Sequence, residues 1–290
     1  MSLLIDGKQI KTKVLTSLQA QLSFLKKRAI TPCILIIQVG EDPASSIYVR
    51  NKKKLSDELG VECIVNKLDA KITQEELLYT IYRANNDKLI NGILVQVPLP
   101  KHIDENIVIS AINPMKDVDC FHPENVGKLW TAKTMYEGIM PCTPYGVIKM
   151  LELSNIGMNG KNAVVLGRSN IVGKPMAALL MLNGCTVTIC HSKTINAASI
   201  CSKADILIAA IGNPKFVTRE YTNPKQVIID VGINRTPDGK VCGDVDFDNV
   251  KDYVKAISPV PGGAGVMTVV MLLANLITIT KMQNEITNIK

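Results

Sequence analysis

Residues 33–39 read CILIIQV, an apolar run too short for a helix, and this predicts a strand covered on both faces, as in a parallel sheet. Asp42 followed by Pro43 then gives a helix-start signature, and Gly60 gives a left-handed stop, so a helix is predicted over 43–59. A strand over 61–68 follows, then a helix over 73–86 opened by the capping pair Thr73 and Glu76, then a strand over 92–97 closed by Pro98 and Pro100. Between 113 and 142 the period is lost and prolines recur at 114, 123 and 141, which reads as a loop-rich hinge. Thr143 with Pro144 behind it predicts a helix to about 154. Alternation then resumes, with strands at 162–166, 185–190, 205–210 and 226–231, helices at 173–183 and 195–201, and a last helix over 266–281.

This alternation predicts an α/β protein of two domains flanking a cleft: residues 1–142, with the helical segment 266–290 packing back on them, and residues 143–265. A chain of 290 residues suits two domains, and 47% hydrophobic with 20% charged residues suits folded cores throughout. The net charge of +7 calls for an anionic partner. The basic residues are scattered, and the run Lys52–Lys54 has no interleaved aromatic, so the expected partner is a small molecule and no nucleic acid. Eight cysteines without a CxxC pair read as reduced, buried thiols of a cytoplasmic protein, and three histidines without ligand spacing predict no metal site. The N-terminus has no secretory pattern, and the apolar stretch 266–280 is too short to span a bilayer, so no membrane is expected.

Candidate chemistry gathers at two places. AVVLGRSNIVGKP at 163–175 is a buried strand, a glycine at its end, a polar turn, a second glycine and a helix. That geometry aims backbone amides and the positive helix end at a phosphate, which predicts a Rossmann-type dinucleotide domain, although Ser169 stands where the fingerprint has its middle glycine. The next strand ends in His191, Ser192 and Lys193, where an NAD site carries an acid for the ribose hydroxyls. A hydroxyl and a cation there, with Arg168 across the turn, favour NADP. AAIG at 209–212, DVG at 230–232 and GG at 262–263 supply small residues where a ligand approaches the backbone.

The second place is the helix 43–59. Tyr48 and Lys52 are four residues apart and continue into Leu55 and Leu59, so Lys52 falls on the core-facing side, while Lys53 points about 100° away. A lysine sheltered from water is suited to proton exchange with a substrate. Gln96 lies near the carboxyl end of an otherwise apolar strand, where α/β sheets hold ligands, and Asp119 and Asp117 are rival carboxylates of the irregular segment.

The segments SSIYVRNKKKLSDELG, GILVQVPLP, KDVDCFHPENVGKL, PCTPYGVIKML, GRSNIVGKP, CHSKT, AAIGNPKFV, IIDVGINR, GDVDF and SPVPGGAGVMT, in that order from about 45 to 268, resemble the bifunctional methylenetetrahydrofolate dehydrogenase and methenyltetrahydrofolate cyclohydrolase family. The resemblance implies a folate-binding catalytic domain, a Rossmann-type NADP domain and a homodimer. It implies oxidation of 5,10-methylenetetrahydrofolate followed by hydrolysis of the methenyl product to 10-formyltetrahydrofolate. It makes Lys52 the catalytic lysine, Tyr48 the residue that orients the folate, Gln96 the partner of the lysine and Asp119 the holder of the pterin, with Pro98, Leu99, Pro259, Gly262 and Gly263 also lining the folate. It gives the cofactor Gly167, Ser169, Val172, Gly173, His191, Ala210, Ile211, Gly212, Gly232, Ile233 and Thr268, with Arg168 and Ser192 on the 2′-phosphate. The chain departs from the family pattern at Cys120, where glycine is usual, and at Val266, where proline is usual, and the side chain at 120 is expected to crowd the pterin.

Overall fold

The structure is a computed structural model that describes residues 2–134 and 138–286; positions 1, 135–137 and 287–290 of the expected domain ranges lie outside the described residues. In chain order its elements are β1 (Leu3–Leu4), α1 (Gly7–Lys26), β2 (Cys33–Val39), α2 (Pro43–Leu59), β3 (Glu62–Leu68), α3 (Gln74–Asn86), β4 (Gly92–Gln96), α4 (Glu105–Ala111), α5 (Pro123–Thr131) and α6 (Cys142–Leu153). There follow β5 (Asn162–Leu166), α7 (Gly173–Leu182), β6 (Thr186–Cys190), α8 (Ala197–Cys201), β7 (Ile206–Ala209), β8 (Val227–Asp230), β9 (Asn234–Arg235), β10 (Val241–Cys242), α9 (Phe247–Val250), β11 (Ala256–Ile257) and α10 (Ala264–Gln283). The chain divides into two compact units, one formed by Leu15–Lys128 with Leu272–Lys290, the other by Met1–Val14 with Leu129–Met271.

The first unit is built on three parallel strands in the order β3-β2-β4. All seven residues of β2 are buried, as a central parallel strand requires. Leu35, Ile37, Ile93 and Val95 pack with Leu77 and Ile81 of α3 and Val108 of α4 into one core. The start of α2 follows from its sequence: the Asp42 carboxylate accepts from the Ser45 amide at 2.7 Å, Pro43 occupies the first turn, and Gly60 closes the helix at φ +71°. In α3 the capping box between Thr73 and Glu76 is complete, and the Thr73 amide and hydroxyl together lower the Glu76 pKa.

The second unit is a six-stranded parallel sheet ordered β1-β11-β8-β7-β5-β6. Its outermost strand comes from the N-terminus, because Leu3 and Leu4 pair with Ala256 and Ile257. Residues 2–14 and the described residues between 129 and 142 therefore group with the second sheet, which differs from a boundary at 142; likewise α10 changes unit at Leu272 and not at 266.

Three local expectations are corrected. The segment 113–142 is more ordered than a loop: it holds a 3-10 turn at Pro114–Lys116 and the helix α5, whose proline sits at its first position, where a missing amide costs nothing. Thr143 does not cap α6, which starts one residue earlier behind Pro141; its hydroxyl meets that of Thr268 at 2.9 Å instead. Finally, α10 is a 20-residue helix, long and apolar enough to cross a membrane by length and composition, yet more than half of its apolar window is buried within the protein, as befits a core helix.

Candidate functional site

In parallel sheets ligands sit beyond the carboxyl ends of strands, where successive connections leave a strand toward opposite sides. In the first unit that point lies at β2, since the chain passes from β2 to β3 on one flank and then to β4 on the other. Gln38 and Gln96 are register partners there, so their side chains stand on the same face of the sheet. Lys52 reaches this point from α2. It is only 7% exposed, and its Nζ donates to Gln96 Oε1 at 3.0 Å. Gln96 Nε2 donates to the Val97 carbonyl at 2.7 Å, which fixes the amide with its oxygen toward the lysine. Among the described residues Lys52 has no ion pair, whereas the neighbouring Lys53 is bridged to Asp57 at 2.6 Å on the outer face. Burying a cation against a neutral amide alone is unfavourable, and such arrangements concentrate where chemistry is done.

Tyr48, one helical turn before Lys52, leaves 38% of its surface exposed. Pro98 is exposed just past β4, and the Leu99 amide is held by Glu105 Oε1 at 2.9 Å. The two rival carboxylates separate by environment. Asp117 is buried and accepts from the His122 amide and from Asn125 Nδ2, at 2.9 and 3.0 Å, so it secures the entry to α5. Asp119 is half-buried. Cys120 is buried at φ +61°, and burial together with Asp117 and Asp119 pushes its thiol pKa well above the ordinary range. The thiol is thus neutral and its backbone sits in the region that favours glycine.

Gln38 is a residue that the sequence reading missed. It is 2% exposed; Nε2 donates to the Gly40 carbonyl at 3.1 Å and to Ser46 Oγ at 2.9 Å, while Oε1 is buried without a partner. The signal was available, since a lone amide in CILIIQV repeats the pattern that singled out Gln96 in GILVQV.

In the second unit the corresponding point lies between β5 and β7, flanked by β6 and β8. Gly167 ends β5 at φ +132°, and a Cβ on it would stand 2.0 Å from the Ala210 carbonyl oxygen. A Cβ on Gly173 would stand 2.3 Å from the Gly167 carbonyl oxygen. Only glycine fits at either position. The first amides of α7 are used differently from the expectation: Ser169 Oγ accepts from both the Val172 and Gly173 amides at 3.2 Å, and the Ser169 carbonyl accepts from the Lys174 amide at 3.0 Å. The hydroxyl of Ser169 thus shapes the turn from within. Among the described residues the amides of Arg168 through Ile171 make no hydrogen bond, and these are the donors left for an anion.

The Gly167 amide donates to the Cys190 carbonyl at 2.8 Å, which places Arg168 beside His191 and Ser192 at adjoining strand ends. Arg168 and Ser192 are exposed, and no acid stands at the end of β6. His191 is engaged in its own turn, its Nδ1 accepting from the Lys193 amide at 3.2 Å. A glycine cradle, four unused amides and an exposed arginine that makes no ion pair among the described residues fit a dinucleotide carrying an additional phosphate. Ala210, Ile211 and Gly212 follow β7, Gly232 and Ile233 follow β8, Pro259, Gly262 and Gly263 follow β11, and the Thr268 hydroxyl is shared with Thr143. All eight cysteines are free thiols and seven are buried. Among the described residues no three His, Cys, Asp or Glu side chains are grouped as a metal site would need.

Comparison with known proteins agrees with both halves. Residues 5–119 match the catalytic domain of the tetrahydrofolate dehydrogenase/cyclohydrolase family, and residues 141–284 match that family's NAD(P)-binding domain. The bifunctional protein FolD of Agathobacter rectalis is 50% identical over 281 residues, covering 97% of this chain and all of the relative. Among solved structures, the bifunctional FolD methylenetetrahydrofolate dehydrogenase/cyclohydrolase of Campylobacter jejuni superposes with a TM-score of 0.94 at 42% identity, covering 97% of this chain and 99% of its own. The Trypanosoma brucei methylenetetrahydrofolate dehydrogenase-cyclohydrolase, solved with NADP and an inhibitor, gives 0.91 at 36% identity over 97% and 98% of the two chains. With both of its domains matched and relatives at such identity over nearly its whole length, the chain belongs to the tetrahydrofolate dehydrogenase/cyclohydrolase family.

Proposed function

We propose that this protein oxidises 5,10-methylenetetrahydrofolate with NADP and hydrolyses the resulting 5,10-methenyltetrahydrofolate to 10-formyltetrahydrofolate. The observation that carries the reading is the buried Lys52 Nζ held by the neutral Gln96 Oε1 at the carboxyl end of β4.

Bound NADP supplies the acceptor for a hydride from the methylene carbon. Loss of the hydride leaves a methenyl carbon whose positive charge is shared by two nitrogens, and water must then add to that carbon with loss of a proton. Lys52 Nζ orients the water and relays the proton. Gln96 sets the direction of Nζ, because its own amide is locked by the Val97 carbonyl. The identity of that partner matters. A carboxylate in its place would hold the lysine in its charged form, which has no lone pair to take up the proton, whereas a neutral amide leaves the amine free to do so. Tyr48 offers an accessible ring one turn away for stacking on the flat substrate, and the half-buried Asp119 accepts from the pterin, leaving Asp117 to its structural bonds. Pro98 and Leu99, just past β4, add further folate contacts.

Gly167, Ser169, Val172 and Gly173 form the diphosphate turn. Arg168 and Ser192 with His191 receive the 2′-phosphate, which selects NADP over NAD. Ala210–Gly212, Gly232, Ile233 and Thr268 contact the rest of the cofactor. The working form is a homodimer. Its support is the open outer edge of β3, with Ile64 exposed on it, and the neighbouring α3 surface where Tyr79 and Tyr82 are each 64% exposed. Free, buried thiols support a cytoplasmic setting, and the scattered basic residues support neither nucleic acid nor membrane as a partner.

Mixing the protein with methylenetetrahydrofolate and NADP should produce NADPH absorbance, and added methenyl compound should decay faster than in buffer. Lys52→Met should abolish that decay; undiminished hydrolysis in the variant would refute the assignment.

A further inference from the structure

The motif GDVDF, at residues 243–247, is not used by the chemistry above, yet it contributes one of two buried carboxylates set back to back. Asp244 is fully buried and Asp230, at the end of β8, is 3% exposed; among the described residues neither has a Lys, Arg or His partner. Their charge is met almost entirely by backbone amides. Asp244 Oδ2 accepts from Ile211 N at 2.7 Å and Gly212 N at 3.1 Å, and Oδ1 accepts from Asn213 N at 2.9 Å and Asn234 Nδ2 at 2.8 Å. Asp230 Oδ1 accepts from Gly232 N and from Asp244 N, both at 3.0 Å, and Oδ2 accepts from Val245 N at 2.9 Å. The fit leaves no slack. A Cβ at Gly232 would lie 2.3 Å from Asp244 Oδ1, and one at Gly243 would lie 1.9 Å from Asp230 Oδ2.

One carboxylate thereby fastens two loops at neighbouring strand ends. The loop after β7 gives it three consecutive amides, and the segment after β8 gives it the Asn234 side chain and close packing of Gly232. Those are the segments that the proposed function assigns to the cofactor.

We infer that Asp244 is a positioning residue for dinucleotide binding, holding the Ile211–Asn213 loop and the Gly232–Asn234 segment from behind in the conformation that receives NADP, with Asp230 as its buttress. The inference rests on the proposed cofactor reading. The chemistry demands a carboxylate. Four donors converge on two oxygens, so an asparagine would turn its own NH2 against two of them whichever way it faced, releasing either the Ile211–Gly212 pair or the Asn213–Asn234 pair. Each released donor in a buried setting carries the full penalty of an unmade bond.

The test uses the full-length protein with Asp244→Asn and the milder Asn234→Ala, comparing the NADP Kd by calorimetry, kcat and KM for dehydrogenation, NADP-free methenyl hydrolysis and Tm. The expectation for Asp244→Asn is an NADP Kd and KM at least about tenfold higher, with hydrolysis kept within about twofold. Asn234→Ala should shift both constants in the same direction by about threefold. A purely structural carboxylate would instead lower both activities together, in proportion to the unfolded fraction, and that result overturns the inference, as does a wild-type NADP Kd in folded Asp244→Asn. Should Asp244→Asn not fold, Asn234→Ala decides alone, and an unchanged NADP KM in it overturns the inference. A wild-type protein that fails to bind NADP would sink the proposed function itself, an outcome separate from every result on the variants.

Discussion

At the residue scale the two carboxamides of the lysine site behave differently, and Gln96 makes a prediction. Gln96 keeps Lys52 beside a neutral oxygen at 3.0 Å. Gln96→Glu would put a carboxylate there and tie up the amine that must take the proton, so methenyl hydrolysis should fall while NADP binding persists; hydrolysis rates and the cofactor Kd of the two proteins check this. Gln38 keeps one oxygen buried and unpaired, a cost of about 1–3 kcal/mol that functional sites tolerate when a ligand or water completes the bond. Asp230 makes a second prediction, through pH. Burial is the main cause that raises its pKa to about 7, opposed by the Val245 and Asp244 amides and reinforced by the Asp244 charge. An ordinary aspartate releases its proton near 3.8. Between these two values the folded form holds a proton that the unfolded chain has lost, so the group's contribution to stability falls as pH rises from about 4 to about 7 and is level above that. Urea unfolding between pH 4.5 and 8 should show this slope, and Asp230→Asn, though less stable throughout, should flatten it. Cys120 reverses a familiar order. Because it lies at φ +61°, Cys120→Gly should be more stable than Cys120→Ala by about 1 kcal/mol, read as a difference in unfolding free energy.

At the element scale the sequence was most informative where a helix is written by its ends. The limits of α2 follow from Asp42, Pro43 and Gly60, and those signals also place Lys52 inward and Lys53 outward, so the lysine site was legible before any fold was drawn. Where punctuation was misleading, the reading failed. Pro123 looked like a loop residue but opens α5, since proline both breaks helices and begins them. The 20-residue α1 went unread although Asp6 stands ahead of it, accepting from the Lys8 amide at 2.8 Å, and Ile10, Leu18, Leu22 and Leu25, all buried, recur at helical spacing; its exposed positions outnumber its buried ones and dilute that signal. The short strands β1 and β11 have two residues each and owe their state to pairing with distant strands, Leu3 with Ala256 and Ala256 with Val227, which no local pattern encodes. The turn at 167–173 was legible as a phosphate site, but the capture of α7's first amides by Ser169 was not, since it depends on a side-chain rotamer. Asp42→Ala should cost about 1 kcal/mol by uncapping α2. Because Lys52 lies well beyond the first turn and is held by Gln96, methenyl hydrolysis should survive that loss, measured on the folded fraction.

At the scale of the whole molecule the remaining question is what covers the edge of the first unit's sheet. β3 is hydrogen-bonded on one side only, and a parallel edge of seven residues is long to leave open. Soluble chains blunt such an edge with charge, but here Glu62 and Lys67 stand near its ends while Ile64 faces outward between them, 42% exposed. The adjacent helix α3 adds Tyr79 and Tyr82, and a shallow depression in which Ile72, Tyr79 and Thr80 are rimmed by Asp69, Lys71, Glu75 and Glu76 lies on the same surface. Aromatic and β-branched residues at an unpaired edge favour strand addition by a second copy, since the same edge is then satisfied twice over by one symmetric contact. Sedimentation equilibrium at micromolar concentration should therefore return twice the 31.6 kDa of one chain. Ile64→Lys should shift the protein toward the monomer, because a lysine on an open edge discourages strand addition. NADP binding in that variant should persist, since the glycine turn at 167–173 belongs to the other unit. A wild-type protein that sediments as a monomer would leave this edge without the partner proposed for it.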